Sequence, residues 1–257
     1  LQGLSIMLLD LQDVGVRFYT YLSTLHYVME ACAENNVQLI VFDRPNPNGF
    51  YVDGPILDLK FRSFVGMHPV PVVHGMTIGE YAKMINGEKW LDNMIQCSLE
   101  IIPCLNYNHN TRYVLPIPPS PNLPNMRSVY LYPSLCFFEG TNISIGRGTN
   151  FPFQVFGAPY FSKNEFSFTP KSTYGSKNPK YKSLICYGTD LRTISIDSLK
   201  NTKKLNLNWL VNSYKISNES EDFFNKNNFF ILLSGTEKLM NLVKGGATPK
   251  HIYETYQ

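Results

Sequence analysis

The chain has 257 residues, a formal charge of +3, 17% charged side chains and 14% aromatic ones. That length supports one large domain or two modest ones, and sparse charge with abundant aromatic surface excludes a disordered chain and suits an enzyme or a saccharide-binding protein. The small charge, with no run of Lys or Arg, argues against nucleic acid as a partner, and Lys203-Lys204 reads as a solvated face. No stretch approaches the roughly 18 consecutive apolar residues of a membrane-spanning helix. Five dispersed cysteines, without CxxC or metal-ligand spacing, make no disulfide framework; Cys32 and Cys136 lie in apolar runs and are expected in the core. The chain opens inside a strand without an initiator methionine, so the N-terminus reads as trimmed and the compartment stays open.

Residues 4–9 form a short continuous apolar run, as expected of a parallel strand buried on both faces, and lead into Asp10, Gln12 and Asp13. From 19 to 32 apolar residues recur at three- and four-residue spacing, which predicts an amphipathic helix broken at Asn35-Asn36. Residues 37–42 are a second apolar strand ending in Asp43-Arg44-Pro45-Asn46-Pro47. Strand, helix, strand is one right-handed βαβ unit, so both strands end on the same edge of a parallel sheet. Asp10, Gln12 and Asp13 should therefore emerge beside Asp43, Arg44 and Asn46, on the edge where open α/β sheets bind ligands. Asp13 is either a helix cap or a site residue. There is no GxGxxG after the first strand and no GKS or GKT anywhere, so this architecture does not imply a nucleotide.

Thr77 followed by Glu80 is a capping box that starts a helix running to about residue 86 and stopping at Gly87. His74, just before it, either binds substrate or buttresses the loop, and His26 reads as a packing or surface residue. No Ser or Cys stands in a nucleophile-elbow context and no HExxH occurs, so neither a metal nor a cofactor is expected. Residues 99–103 read as a strand. The proline-rich segment 115–124 is rigid and extended, and holds Ser120 and Asn122 in a cleft wall. Residues 137–149 concentrate Glu139, Asn142, Arg147, three hydroxyls and three glycines between apolar runs. There Glu139 is either braced by Arg147 or aimed at a substrate.

Beyond Pro159 the texture becomes Ser/Lys/Phe-rich, then polar and apolar in alternation, then Asn-rich. Residues 229–233 read as a strand, residues 236–244 as a helix closed by Gly245-Gly246, and Pro249 as the first position of another helix. The expected architecture is a Rossmann-like parallel α/β domain over residues 1–156 and a smaller α+β domain over residues 157–257.

Several strings in order resemble one family: Asp10-Leu-Gln-Asp-Val-Gly-Val-Arg-Phe-Tyr-Thr-Tyr21, Asp43-Arg-Pro-Asn-Pro47, Gly54-Pro55, Phe61-Arg-Ser-Phe-Val-Gly66, His74-Gly-Met-Thr77, Pro119-Ser-Pro-Asn122, Phe138-Glu-Gly-Thr-Asn142, Arg147-Gly-Thr149, Ser234-Gly-Thr236 and Thr255-Tyr-Gln257. They are similar to the exo-β-N-acetylmuramidases of the NamZ type. The resemblance implies an active cleft near the junction of two domains and release of N-acetylmuramic acid from the non-reducing end of peptidoglycan fragments. It also implies a periplasmic or secreted protein; a non-catalytic muropeptide-binding protein is the alternative. Oligomeric state stays open. Family members carry, ahead of the first strand seen here, a Pro-Glu-His-Gly segment whose glutamate is a leading catalytic candidate. Glycoside hydrolysis generally needs two carboxyl groups across the scissile bond. Glu139 is expected to be one and the upstream glutamate the other, with Asp10 and Asp13 as substitutes. Arg17, Arg44 or Arg147 would take the lactyl carboxylate. Tyr19, Asn46, His74 and Asn122 would read hydroxyls and the acetamido group; Asp43 and Asn142 complete the candidate binding set.

Overall fold

A computed structural model describes residues 1–163 and 166–256. Asn164 and Glu165, in the Ser/Lys/Phe-rich stretch, and Gln257, the end of the last motif quoted above, lie outside the described residues. The backbone forms two compact units, one of Leu1–Val52 with Leu57–Tyr113 and the other of Asp53–Ile56 with Val114–Gln257.

In the first unit β1 (Ile6–Leu9), β2 (Gln38–Phe42) and β3 (Leu99–Ile102) make a parallel sheet in that order, with Leu9 opposite Val41 and Val41 opposite Ile101. The predicted helices are α1 (Tyr21–Glu34) and α2 (Ile78–Gly87), the latter opened by the expected capping box of Thr77 and Glu80. Leu25, Met29 and Cys32 of α1 and Ile78, Ala82 and Ile85 of α2 bury against Leu9, Leu39 and Val41. Side chains alternate across a strand, so Ile6 and Leu8 project from the opposite face, where they are 50% and 59% exposed. In this chain both helices cover the face that carries Leu39 and Val41, so the expected burial is seen on that face alone.

His26 belongs to the interior of this unit. Arg62 donates to His26 Nε2 (3.0 Å), which leaves His26 Nδ1–H to donate to His68 Nε2 (2.9 Å) and His68 Nδ1–H to donate to the Tyr81 hydroxyl (3.1 Å). A guanidinium has only donors, and that fixes the direction of the relay and keeps both rings neutral.

The second unit contains an antiparallel sheet ordered β4 (Val155–Ala158), β6 (Cys186–Asp190), β5 (Ser167–Phe168). Helices α3 (Met126–Leu135), α4 (Ile196–Thr202), α5 (Asn208–Ile216), α6 (Phe229–Ser234), α7 (Glu237–Lys244) and α8 (Pro249–Glu254) accompany it. A 3₁₀ turn, Cys136–Gly140, continues directly from α3. Cys136 is buried there, as Cys32 is in the first unit. The run 229–233, expected as a strand, is α6. A short unbroken apolar run has no period to tell strand from helix. Here Asn228 and Gly235, both in left-handed conformation, bound one helical turn and a half, and Phe230 packs on Phe224 at 4.7 Å between ring centres.

Candidate active site

The carboxyl edge of the parallel sheet gathers the residues its topology demands. Asp10 follows β1 and takes a bidentate pair of hydrogen bonds from Arg44, which follows β2, at 2.6 and 2.7 Å. The pair holds the Asp10 carboxyl below its ordinary range, the guanidinium hydrogen bonds being the larger cause. Gln12 reaches the Pro45 carbonyl at 2.9 Å. Asp43 turns the other way and accepts from Thr77 Oγ1 (2.7 Å) and from the Gly79 amide (2.8 Å), so it caps α2. Gly79 is required for this, since a Cβ there would sit 2.8 Å from Asp43 Cγ. Asn46 is committed as well: its amide donates to the Met76 carbonyl at 2.8 Å and its oxygen accepts from Asn48 N at 2.8 Å. Asp43 and Asn46 thus shape the edge, while Asp10 and Arg44 are its exposed charges.

Behind the edge lies a second, buried group. Asp13 is 5% exposed, and its Oδ2 accepts from the Gly15 amide at 2.6 Å while its Oδ1 has no hydrogen-bond partner among the described residues. It closes a turn rather than capping α1, whose cap position is Thr20. His74 accepts from Met76 N through Nδ1 (3.2 Å) and points an unpartnered Nε2 at Asp13 Oδ2, 3.9 Å away. Burial raises Asp13 to about 7 and lowers His74 to about 3, so the two face each other close to neutral. Arg17 is also buried, donating to the Val70 carbonyl at 2.7 Å, and burial lowers it to about 10. Tyr19 packs edge-on to Tyr21 at 5.0 Å, its phenol pushed up by burial. Arg17 holds the segment around Val70 and Val72, which also accepts its backbone amide at 2.8 Å.

In the second unit the 3₁₀ turn presents Glu139, whose Oε1 accepts from both Arg147 Nε and Nη2 at 2.5 Å. Oε2 takes neither contact. Both residues line a cavity of about 380 Å³ with Ile143, Ser144, Asn178 and Lys180. Lys180 was not visible as a candidate in the sequence; it sits in a run of Ser, Lys and Pro without a periodic or motif signal. Its ammonium donates to the carbonyls of Phe138, Thr141 and Ile143, which ties down the whole turn around Glu139. Burial lowers Lys180 to about 8, with Glu139 pulling the other way.

The turn is fixed from its other side too. Asn225 donates to the Glu139 carbonyl at 3.0 Å, and Gly140 lies so close to α6 that a Cβ would meet Phe230 Cα at 2.4 Å. Asn142 braces the loop: its Oδ1 accepts from Tyr160 at 2.5 Å and its carbonyl from Tyr181 at 2.6 Å. Asn122 donates to the Gly175 carbonyl at 2.7 Å, anchoring the proline-rich segment to the chain that leads toward Asn178. Among the described residues no group of three or more His, Cys, Asp or Glu side chains could hold a metal ion, and no helix is long and apolar enough to cross a membrane.

A parallel Rossmann-like sheet with a charged carboxyl edge, followed by an α+β unit with a carboxylate-lined cavity, defines an α/β protein built around paired acidic and basic side chains. Family models agree on a narrower identity. Residues 1–127 match the N-terminal model of the exo-β-N-acetylmuramidase NamZ and residues 130–257 match its C-terminal model. The chain belongs to the NamZ family. It is 34% identical over 273 residues to the peptidoglycan β-N-acetylmuramidase NamZ of Bacillus subtilis strain 168, matched over 100% of this chain and 64% of that protein. The chain thus spans slightly under two thirds of that curated relative. Two DUF1343 family proteins of Bacteroides fragilis NCTC 9343 share its structure. One has a TM-score of 0.95 at 48% identity, covering 98% of this chain and 71% of the other. The second has a TM-score of 0.72 at 25% identity, covering 100% and 75%.

Proposed function

We propose that the protein containing this chain is an exo-acting β-N-acetylmuramidase that releases N-acetylmuramic acid from the non-reducing end of peptidoglycan fragments. The observation that carries this is the cavity of the second unit, where a glutamate and two cations, Glu139, Arg147 and Lys180, share one set of walls. N-acetylmuramic acid differs from other amino sugars by its lactyl carboxylate, and a cavity with a cationic surplus suits an anionic pyranose. Support also comes from the match of both halves of the chain to NamZ models and from the activity named for the Bacillus subtilis relative.

In the reaction, water adds at the anomeric carbon, the glycosidic C–O bond breaks, and a proton reaches the leaving oxygen. Glu139 takes one carboxyl role, with Oε1 oriented by Arg147 and Oε2 presented to the sugar.

The test is hydrolysis of a chromogenic β-N-acetylmuraminide by the full-length gene product, with the β-N-acetylglucosaminide as control. Muraminide-specific turnover that Glu139→Gln removes supports the assignment. Turnover indifferent to Glu139→Gln removes Glu139 from the mechanism. A folded protein that binds the muraminide without cleaving it is a muropeptide-binding protein instead.

A further inference from the structure

The second unit holds another cavity, of about 310 Å³, formed between one face of α5 and the sheet. Trp209, Asn212, Ser213 and Ile216 line it, at positions i, i+3, i+4 and i+7 of the helix, so they share one stripe. The opposite stripe, Leu210, Val211 and Tyr214, is buried, and Ser213 of the cavity stripe is buried with it. From the sheet side come Phe156 and Thr189, directly opposed in the register of β4 and β6 and therefore on the same face. Phe156 and Trp209 stand 6.3 Å apart between ring centres at 44° and form an aromatic corner.

Two features mark this cavity as built for a ligand. First, Ser213, 1% exposed, is among its lining residues, and its hydroxyl has no hydrogen-bond partner among the described residues. A buried hydroxyl left unsatisfied is costly, and a ligand oxygen or amide supplies the missing bond. Second, no charged side chain lines it among the described residues; its polar groups are hydroxyls and the Asn212 carboxamide. An aromatic corner with a few convergent neutral donors and acceptors is the composition that packs the C–H face of a sugar ring and reads its hydroxyls.

We infer that this cavity is a second saccharide site, taking one uncharged N-acetylated pyranose such as N-acetylglucosamine. The pyranose class follows from the walls of the cavity, while the choice of N-acetylglucosamine rests on the proposed function. Glycan freed of its stem peptides alternates anionic and uncharged amino sugars, and the two cavities of this unit divide in the same sense: Glu139, Arg147 and Lys180 in one, neutral side chains in the other. The site would hold glycan to the protein independently of bond cleavage.

The chain has two tryptophans, Trp90 and Trp209, so the full-length protein labelled with 5-fluorotryptophan gives Trp209 a fluorine signal that Trp209→Phe assigns. Titration with N-acetylglucosamine is expected to shift the Trp209 signal saturably. Ser213→Ala, which removes the orphan hydroxyl without adding bulk to a buried helix position, is expected to weaken binding at least tenfold. Glu139→Gln should leave it unchanged, and N-acetylmuramic acid should bind this site more weakly than N-acetylglucosamine. A Trp209 signal that does not respond in the folded protein overturns the site, as does equal binding by Ser213→Ala. Muraminide hydrolysis without a Trp209 response would leave the proposed function standing and remove this site. A Trp209 response in a protein without hydrolysis would do the reverse.

Discussion

Two carboxylate–guanidinium pairs, one in each unit, show how little the pair itself says about function. Asp10–Arg44 at the sheet edge has the better geometry, two parallel hydrogen bonds, but its side chains are 48% and 45% exposed. Glu139–Arg147 loads both contacts onto one carboxylate oxygen, at 23% and 33% exposure, within a cavity whose loop is clamped by Lys180, Asn225 and the close approach of α6. An exposed ion pair is screened by water and contributes at most about 1 kcal/mol. A partly buried one, with its backbone held on three sides, can present a carboxylate oxygen in a fixed position, which is what catalysis requires. The environment, more than the residue types, separates the two.

The largest effect expected from breaking this contrast is on turnover. Glu139→Gln should reduce kcat/KM on the muraminide by about 10²–10⁴-fold, the range for loss of a carboxyl acid or base, while Asp10→Asn should change it by less than about threefold. Comparable losses in the two variants would erase the distinction. Next comes the clamp. Lys180→Met removes charge-assisted hydrogen bonds to three carbonyls and leaves those acceptors buried, so it should lower the stability of the second unit by roughly 3 kcal/mol. Hydrogen exchange resolved by segment should show the loss around residues 138–143, with the first unit unaffected.

A third effect separates the units by pH. His68, pushed by burial from 6.5 to about 3, and His74, likewise lowered to about 3, stay neutral in the folded first unit. The unfolded chain binds protons that these rings refuse, so their contribution to stability is lost as pH falls below about 6.5. Asp13 acts with opposite sign: raised from 3.8 to about 7, it stabilises most below its unfolded value and that contribution is lost as pH rises through about 7. Denaturant titrations should therefore show acid loss in the first unit, and Asp13→Asn, which removes the opposing contribution, should steepen that loss between about pH 4 and 6.5. An Asp13→Asn profile identical to that of the parent would mean that Asp13 titrates as an ordinary surface carboxyl. The smallest effect is Asp10→Asn on stability, within about 1 kcal/mol by chemical denaturation. A larger value would make the sheet edge a structural keystone.

The sequence by itself determined the elements with a period or a cap. Apolar spacing placed α1, the Thr77–Glu80 box placed α2, and the ends of β1 and β2 put Asp10 beside Arg44, because parallel strands must finish on one edge. Motif strings were sufficient for the family, since their order is linear information. Tertiary structure decided what has no local signature. Whether residues 229–233 were strand or helix depended on Phe230 packing against Phe224 and Gly140. Which face of β1 the two helices covered depended on where they landed. Asp43 and Asn46 turned inward to cap and brace, and Lys180 entered the Glu139 cavity from more than thirty residues away. Hydrophobic pattern and capping chemistry act over a few residues and are written in the chain, whereas burial, and the protonation it imposes on Asp13, His74 and Lys180, exists only once distant segments have excluded water together.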